Sequence, residues 1–133
     1  MTKQEKSYIP GMCNINQDEI AYRRKAMYFG LGVTILLLVA MIVFQVNIFV
    51  RSLVLFIPLF IAIIGYLQTK NKFCVAYGAS GKQNATDGNE SAEAVADTDA
   101  QAADKKKART MNLQAFVSTI IILVILLLVP AAL

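Results

Sequence analysis

The chain has 133 residues, 56% of them hydrophobic, with 13 Lys and Arg against 9 Asp and Glu and no histidine. A soluble domain is about 45–50% apolar. Here the apolar residues gather into stretches: no charge occurs over 26–50, 52–69 or 110–133, runs of 25, 18 and 24 residues. A membrane helix needs roughly 20 mainly apolar residues, whereas a soluble core helix keeps a polar face, and "LGVTILLLVAMIVF" and "FVSTIIILVILLLV" have almost none. These features exclude an ordinary soluble domain. They predict an all-α fold, an integral membrane three-helix bundle with helical extensions on one side.

The net charge of +4 does not mark a nucleic-acid binder, because its placement is topological. Five basic residues precede the first span, Arg51 alone lies between the first two, seven lie between the second and third, and none follows. Cytoplasmic segments carry the excess of Lys and Arg. The expected topology therefore has a cytoplasmic N-terminus and an outside C-terminus. The predicted residues at the membrane interface are Arg23, Arg24, Lys25, Arg51, Lys70, Lys72, Lys105, Lys106, Lys107 and Arg109.

In chain order, residues 1–16 are polar, contain the turn signal Pro10-Gly11, and are expected to form a flexible cytoplasmic N-terminus. Residues 17–69 are expected to hold an interfacial helix and a transmembrane hairpin. Asn16 is the predicted N-cap, with Glu19 three residues on in a capping-box position. Asp18 and Glu19 suit the positive end of the helix dipole. The first span is expected over about 27–46. It is too long, and too far from the start, for the apolar core of a cleaved signal peptide, so it reads as an anchor. Gly30 and Thr34 form a small-xxx-small pair that permits close helix approach.

The turn "VNIFVRS" is short and apolar, so it is expected to ride at the outer lipid interface with Arg51 reaching the headgroups. The second span, about 52–68, contains Pro58, which frees the carbonyl of Val54. Residues 70–97 are expected to be a flexible cytoplasmic loop, since 79–97 offers one branched apolar residue, Val95, to bury. In residues 98–133, Thr98 with Gln101 suggests a second helix start. Asp99 and Asp104 precede the basic cluster, an order that suits the dipole and the headgroups. An amphipathic beginning passes into a third span at about 111–130, stopped by Pro130.

Few residues can carry chemistry. Catalysis needs acids, bases or nucleophiles within reach of one another, and no ionisable Asp, Glu, Lys or Arg lies within a span. This argues against an enzyme, a proton pump or an ion carrier. The intramembrane polar residues are Thr34, Gln45, Ser118 and Thr119, and the last two are expected to bond a carbonyl one turn back or a facing helix. "GASGK" at 78–82 lacks the spacing and the final Ser or Thr of a phosphate loop. The sequons at Asn84 and Asn89 fall on the expected cytoplasmic side and read as chance.

Two thiols remain, Cys13 and Cys74, both expected on the cytoplasmic side. They are packing residues, a redox pair, or half of a metal site shared across subunits. Two thiolates alone are too few for closed zinc coordination, so neither a metal nor a cofactor is expected of one chain.

"CNINQDEIAYRRK", "LQTKNKFCVAYG" and "AADKKKA" before a last span resemble an uncharacterised family of small three-span bacterial inner-membrane proteins. That family carries a Cys-Asn motif with a run of arginines, a Phe-Cys element after the second span, and an Ala-Ala-Asp-basic element before the third. The resemblance spans about residues 13–130, with Cys13, Asn14, Phe73, Cys74 and Gly78 at matching positions. The loop at 84–97 matches least. It implies a multi-pass protein of the bacterial cytoplasmic membrane and no established activity.

The expected function is that of a non-enzymatic accessory or assembly subunit, its partners being the lipid bilayer and other membrane subunits or further copies of itself. The alternatives are a thiol redox or metal-binding protein using Cys13 and Cys74, and a homo-oligomeric pore lined by Gln45, Asn47, Ser118 and Thr119.

Overall fold

A computed structural model describes residues 8–86, 88 and 91–131. The expectations for residues 1–7, for Asn89 and for the last two residues lie outside the described residues. The elements are α1 (Gln17–Val43), α2 (Ile48–Asn71), α3 (Val75–Ser80), a two-stranded antiparallel pair of β1 (Lys82–Gln83) with β2 (Glu93–Ala94), and α4 (Thr98–Ala131). Of these, α1, α2 and α4 are long and apolar enough to cross a membrane.

Helix α1 begins at its predicted cap: the Asn16 side chain accepts the Glu19 N–H at 2.9 Å. It ends sooner than expected. The turn falls at 44–47 instead of 47–51, because Asn47 caps α2 by accepting the Phe49 N–H at 2.8 Å. An asparagine cap offsets unpaired N–H groups at a helix start, and the apolar residues 48–50 then enter the helix. Arg51 does not stand free of the hairpin turn. It lies in the first turn of α2, is only 7% exposed, and donates from Nη2 to the Val46 carbonyl at 3.1 Å. Helical side chains lean toward the N-terminal turn, which carries the guanidinium back over the hairpin.

The α1–α2 crossing is built on absent side chains. A Cβ on Gly30 would come within 2.8 Å of both the Ala62 nitrogen and the Pro58 carbonyl oxygen. A Cβ on Gly65 would lie 3.1 Å from the backbone of Arg23 and Met27. Thr34, one turn beyond Gly30, is buried and turns its hydroxyl to the Gly30 carbonyl at 2.7 Å. In lipid there is little hydrophobic drive between helices, so close backbone approach supplies the dispersion contact. Helix α2 is the hub: α1 and α4 each pack extensively on it. Met41, Leu55, Leu59 and Leu123 form the shared core, and Phe56 meets Phe116 edge-on at 5.8 Å between centroids.

Helix α4 is continuous from its extension into its apolar run. Its start is capped by Asp97, one residue before the expected Thr98: the Asp97 carboxylate accepts the Asp99 N–H at 3.0 Å. Gln101 turns back to the Val95 carbonyl instead of completing a capping box. Ala100, Asp104, Ala108, Met111, Ala115, Thr119 and Leu123 are all buried, at the three- and four-residue spacing of one helix face. Thr119 donates to the Ala115 carbonyl at 2.6 Å, as predicted.

The segments expected to be loosely arranged hold more structure than that. Residues 8–16 contain a tight turn closed by Ile9 and Cys13, followed by the buried run Asn14, Ile15 and Asn16. In 70–97, Phe73, Cys74, Val75, Asn84, Ala85 and Val95 are buried. The expectation that 79–97 could bury little is corrected at Asn84, Ala85 and Val95. Small and amide side chains fill the space, and backbone pairing between distant segments supplies what apolar bulk does not.

Candidate functional site: a buried polar cap

The basic ends of the three long helices meet under a cap made by residues 8–16, α3, residues 82–86 and residues 93–95. Helix α2 stops at Lys72, which takes a left-handed conformation (φ 54°), so the chain reverses and Phe73 enters the core with no exposed surface. Gly78 makes this possible. A Cβ there would lie 2.6 Å from the Phe73 ring and 3.0 Å from the Asp104 carbonyl.

Asn14 joins the N-terminal segment to this reversal. Its amide accepts the Cys74 N–H at 2.6 Å and donates to the Cys74 carbonyl at 3.2 Å. Both backbone groups of a buried residue are thus paired by one side chain. The Asn14 N–H donates to the Lys72 carbonyl at 3.1 Å, and its own carbonyl accepts the Asn84 N–H at 2.7 Å. Ile15 and Asn84 are parallel bridge partners, and Asn16 reaches the Thr86 carbonyl at 2.8 Å. One short stretch therefore fastens the end of α2 to the loop.

Asp104 is the second centre. It has no exposed surface, and its carboxylate accepts the Tyr8 hydroxyl at 2.5 Å and the Gly11 N–H at 2.6 Å. Gly11 holds a left-handed φ of 71°, which glycine adopts without a Cβ penalty. A buried polar group without partners is costly, and these two donors meet the Asp104 side chain where water is excluded. Burial and the facing Asp104 carboxylate hold the Tyr8 hydroxyl well above the usual tyrosine range.

Arg23 is the third centre. Its guanidinium donates to Glu19 at 2.7 Å and to the Cys74 sulfur at 3.0 Å, and it stands 5.7 Å from the Tyr22 ring centroid and 5.5 Å from that of Tyr77. Burial, with the Glu19 carboxylate next to it, raises the Tyr77 hydroxyl above its ordinary value.

The predicted site residues divide accordingly. Arg24, Lys25, Lys70, Lys72, Lys105, Lys106 and Arg109 are exposed at the basic end, with Lys70 near the Tyr66 ring at 6.0 Å. Lys107 is half-buried and donates to the Asn71 side chain at 3.1 Å. Arg23 turns inward. Cys13 and Cys74 are free thiols. Cys13 bonds the Ile15 carbonyl at 3.8 Å, and Cys74 packs with Ile15 and Ile20. The Cys-Asn and Phe-Cys elements do meet, through the Asn14 amide and the Cys74 backbone. Among the described residues no three His, Cys, Asp or Glu side chains gather as a metal site.

Tyr8, Gly11, Asn84 and Asp104 are cap residues that sequence reasoning missed. Asp104 had a signal: it falls on the same face as Ala100, Ala108 and Ala115, where a lone charge among small residues marks a buried carboxylate. No family model, curated protein or solved structure matches the chain.

Proposed function

We propose that the chain is a three-span protein of the bacterial cytoplasmic membrane, N-terminus inside and C-terminus outside, acting as a non-enzymatic accessory or assembly subunit. The observation that carries this reading is how the cap uses its polar groups. Asn14, Asp104 and Arg23 spend their hydrogen bonds on Cys74, Tyr8, Gly11 and Glu19, which makes a shaped platform on the membrane surface. The charge asymmetry of twelve basic residues against one supports the orientation. A thiol-centred role is the second reading, favoured by the Arg23 guanidinium against the Cys74 sulfur, since a cation stabilises a thiolate.

The test is extraction of the chain in gentle detergent from its native membrane, followed by native mass spectrometry. A fixed-stoichiometry complex, with another protein or with itself, is the expected result. A solitary monomer that retains a protected cap contradicts the subunit reading. Orientation is read by labelling Cys13 with an impermeant thiol reagent: label only after the cells are opened is expected, and label in intact cells reverses the topology.

A further inference from the structure

Beside the cap, a second feature remains unused by it. A groove of about 310 Å³ opens between α3 and α4, lined by Ala79, Lys105, Ala108, Arg109 and Asn112. Lys105 and Arg109 are exposed, one helical turn apart, and form no ion pair among the described residues. Like charges at this spacing repel on a helix. Among the described residues no acidic side chain lines the groove, and Ala79 and Ala108 leave it open.

Its position in the chain gives the ligand chemistry. The uncharged run of α4 begins at Thr110, so the groove lies where the apolar span meets the polar region. Residues 105, 109, 112, 116 and 120 recur at four- and three-residue steps and share one helix face. Read downward, that face presents an ammonium, a guanidinium, an amide, and then the exposed Phe116 and Ile120. The order matches a phospholipid: anionic phosphate, glycerol ester, acyl chain. We propose that this groove is a binding site for one anionic phospholipid of the adjoining leaflet. Arg109 and Lys105 hold the phosphodiester, since a guanidinium fork fits phosphate oxygens and an ammonium adds a point charge. Asn112 donates its amide to the glycerol-ester region, and an acyl chain lies along Phe116 and Ile120. Basic pockets at the ends of membrane helices take anionic headgroups in this manner.

The inference needs only that α4 crosses a bilayer, and does not depend on the subunit reading. The experiment uses the whole protein in phosphatidylcholine nanodiscs with and without phosphatidylglycerol, released for native mass spectrometry. The wild type should retain one phosphatidylglycerol in preference to phosphatidylcholine. K105Q/R109Q should lose that preference by about tenfold. R24Q/K25Q, which removes two exposed charges from α1, should keep it. All three proteins should show the same helicity by circular dichroism. Equal loss in both variants, or no loss in K105Q/R109Q, overturns the site. Millimolar inorganic phosphate that displaces the lipid fully marks a free-anion site and also overturns it. A wild-type chain that fails to float with liposomes removes the membrane reading as well, so the two failures are distinguishable.

Discussion

Helix α2 is held at its two halves by opposite chemistries. Midway along, its backbone at Pro58 and Ala62 presses on Gly30 of α1, and the contact works because a side chain is missing. At its basic end the chain is held by Asn14, which supplies an amide that the backbone of Cys74 requires. Lipid is as apolar as leucine, so the first contact gains from shape alone. In the cap, burial makes an unmet N–H or C=O costly. The comparison teaches that polarity sits where a hydrogen bond can fix one geometry, and that small size serves where two helices only need to be close.

The largest effect is expected from crowding the crossing. Gly30→Leu places side-chain atoms against backbone that cannot move aside and should cost about 3 kcal/mol or more, measured by unfolding in mixed micelles with increasing dodecyl sulfate. Next comes Asn14→Ala, which leaves the buried Cys74 N–H without its partner while the Cys74 carbonyl keeps the Gly78 N–H, and should cost about 2 kcal/mol. Gly30 lies about 20 Å of helix from the start of α1, so the two losses should add within about 0.5 kcal/mol in the double variant. A strongly non-additive pair would show that crossing and cap are one unit and would dissolve the contrast.

A smaller effect separates the Asp104 centre of the cap from the Asn14 centre. Tyr8→Phe removes one donor from Asp104 but leaves Gly11 in place, and should cost about 1 kcal/mol, with faster hydrogen exchange confined to the segment around Gly11. The smallest effect is alkaline. Tyr8 and Tyr77 both titrate above their ordinary value of 10.0 when folded. The folded state therefore holds these protons more tightly than the unfolded chain does. Their contribution is complete below about pH 10 and is lost as pH climbs from there toward the raised values. Near-ultraviolet dichroism between pH 8 and 12 should change in the upper part of that range only. A transition near neutral pH contradicts this assignment.

Much of the span architecture was legible because it rests on composition: uncharged runs long enough to cross a bilayer, an asparagine before Asp18 and Glu19, and a Gly30–Thr34 pair. The hairpin turn was misplaced because Asn47 was read as part of a turn when it serves as a helix cap. The cap was legible only in fragments. Asn14, Phe73, Cys74 and Gly78 stood out as motif positions, yet pairing between residues sixty apart leaves no periodic trace in a chain. Asp104 was read as a dipole partner because its neighbours are lysines. Its alanine-lined face carried the contrary signal. Arg51 was placed in the turn, and only the helix start at Ile48 reveals that its side chain folds back over the Val46 carbonyl.

The central claim is that Asn14 locks the end of α2 beneath the cap, and Cys74 reports on this directly, being 3% exposed with Asn14 on its backbone. In a C13S background, the maleimide labelling rate of Cys74 should be at least about tenfold slower in the folded protein than in the dodecyl sulfate-unfolded chain, because labelling requires local opening. Adding Asn14→Ala should restore most of the unfolded rate while the helicity of the long helices persists. Fast labelling of Cys74 with Asn14 present, or unchanged protection without it, would contradict the account.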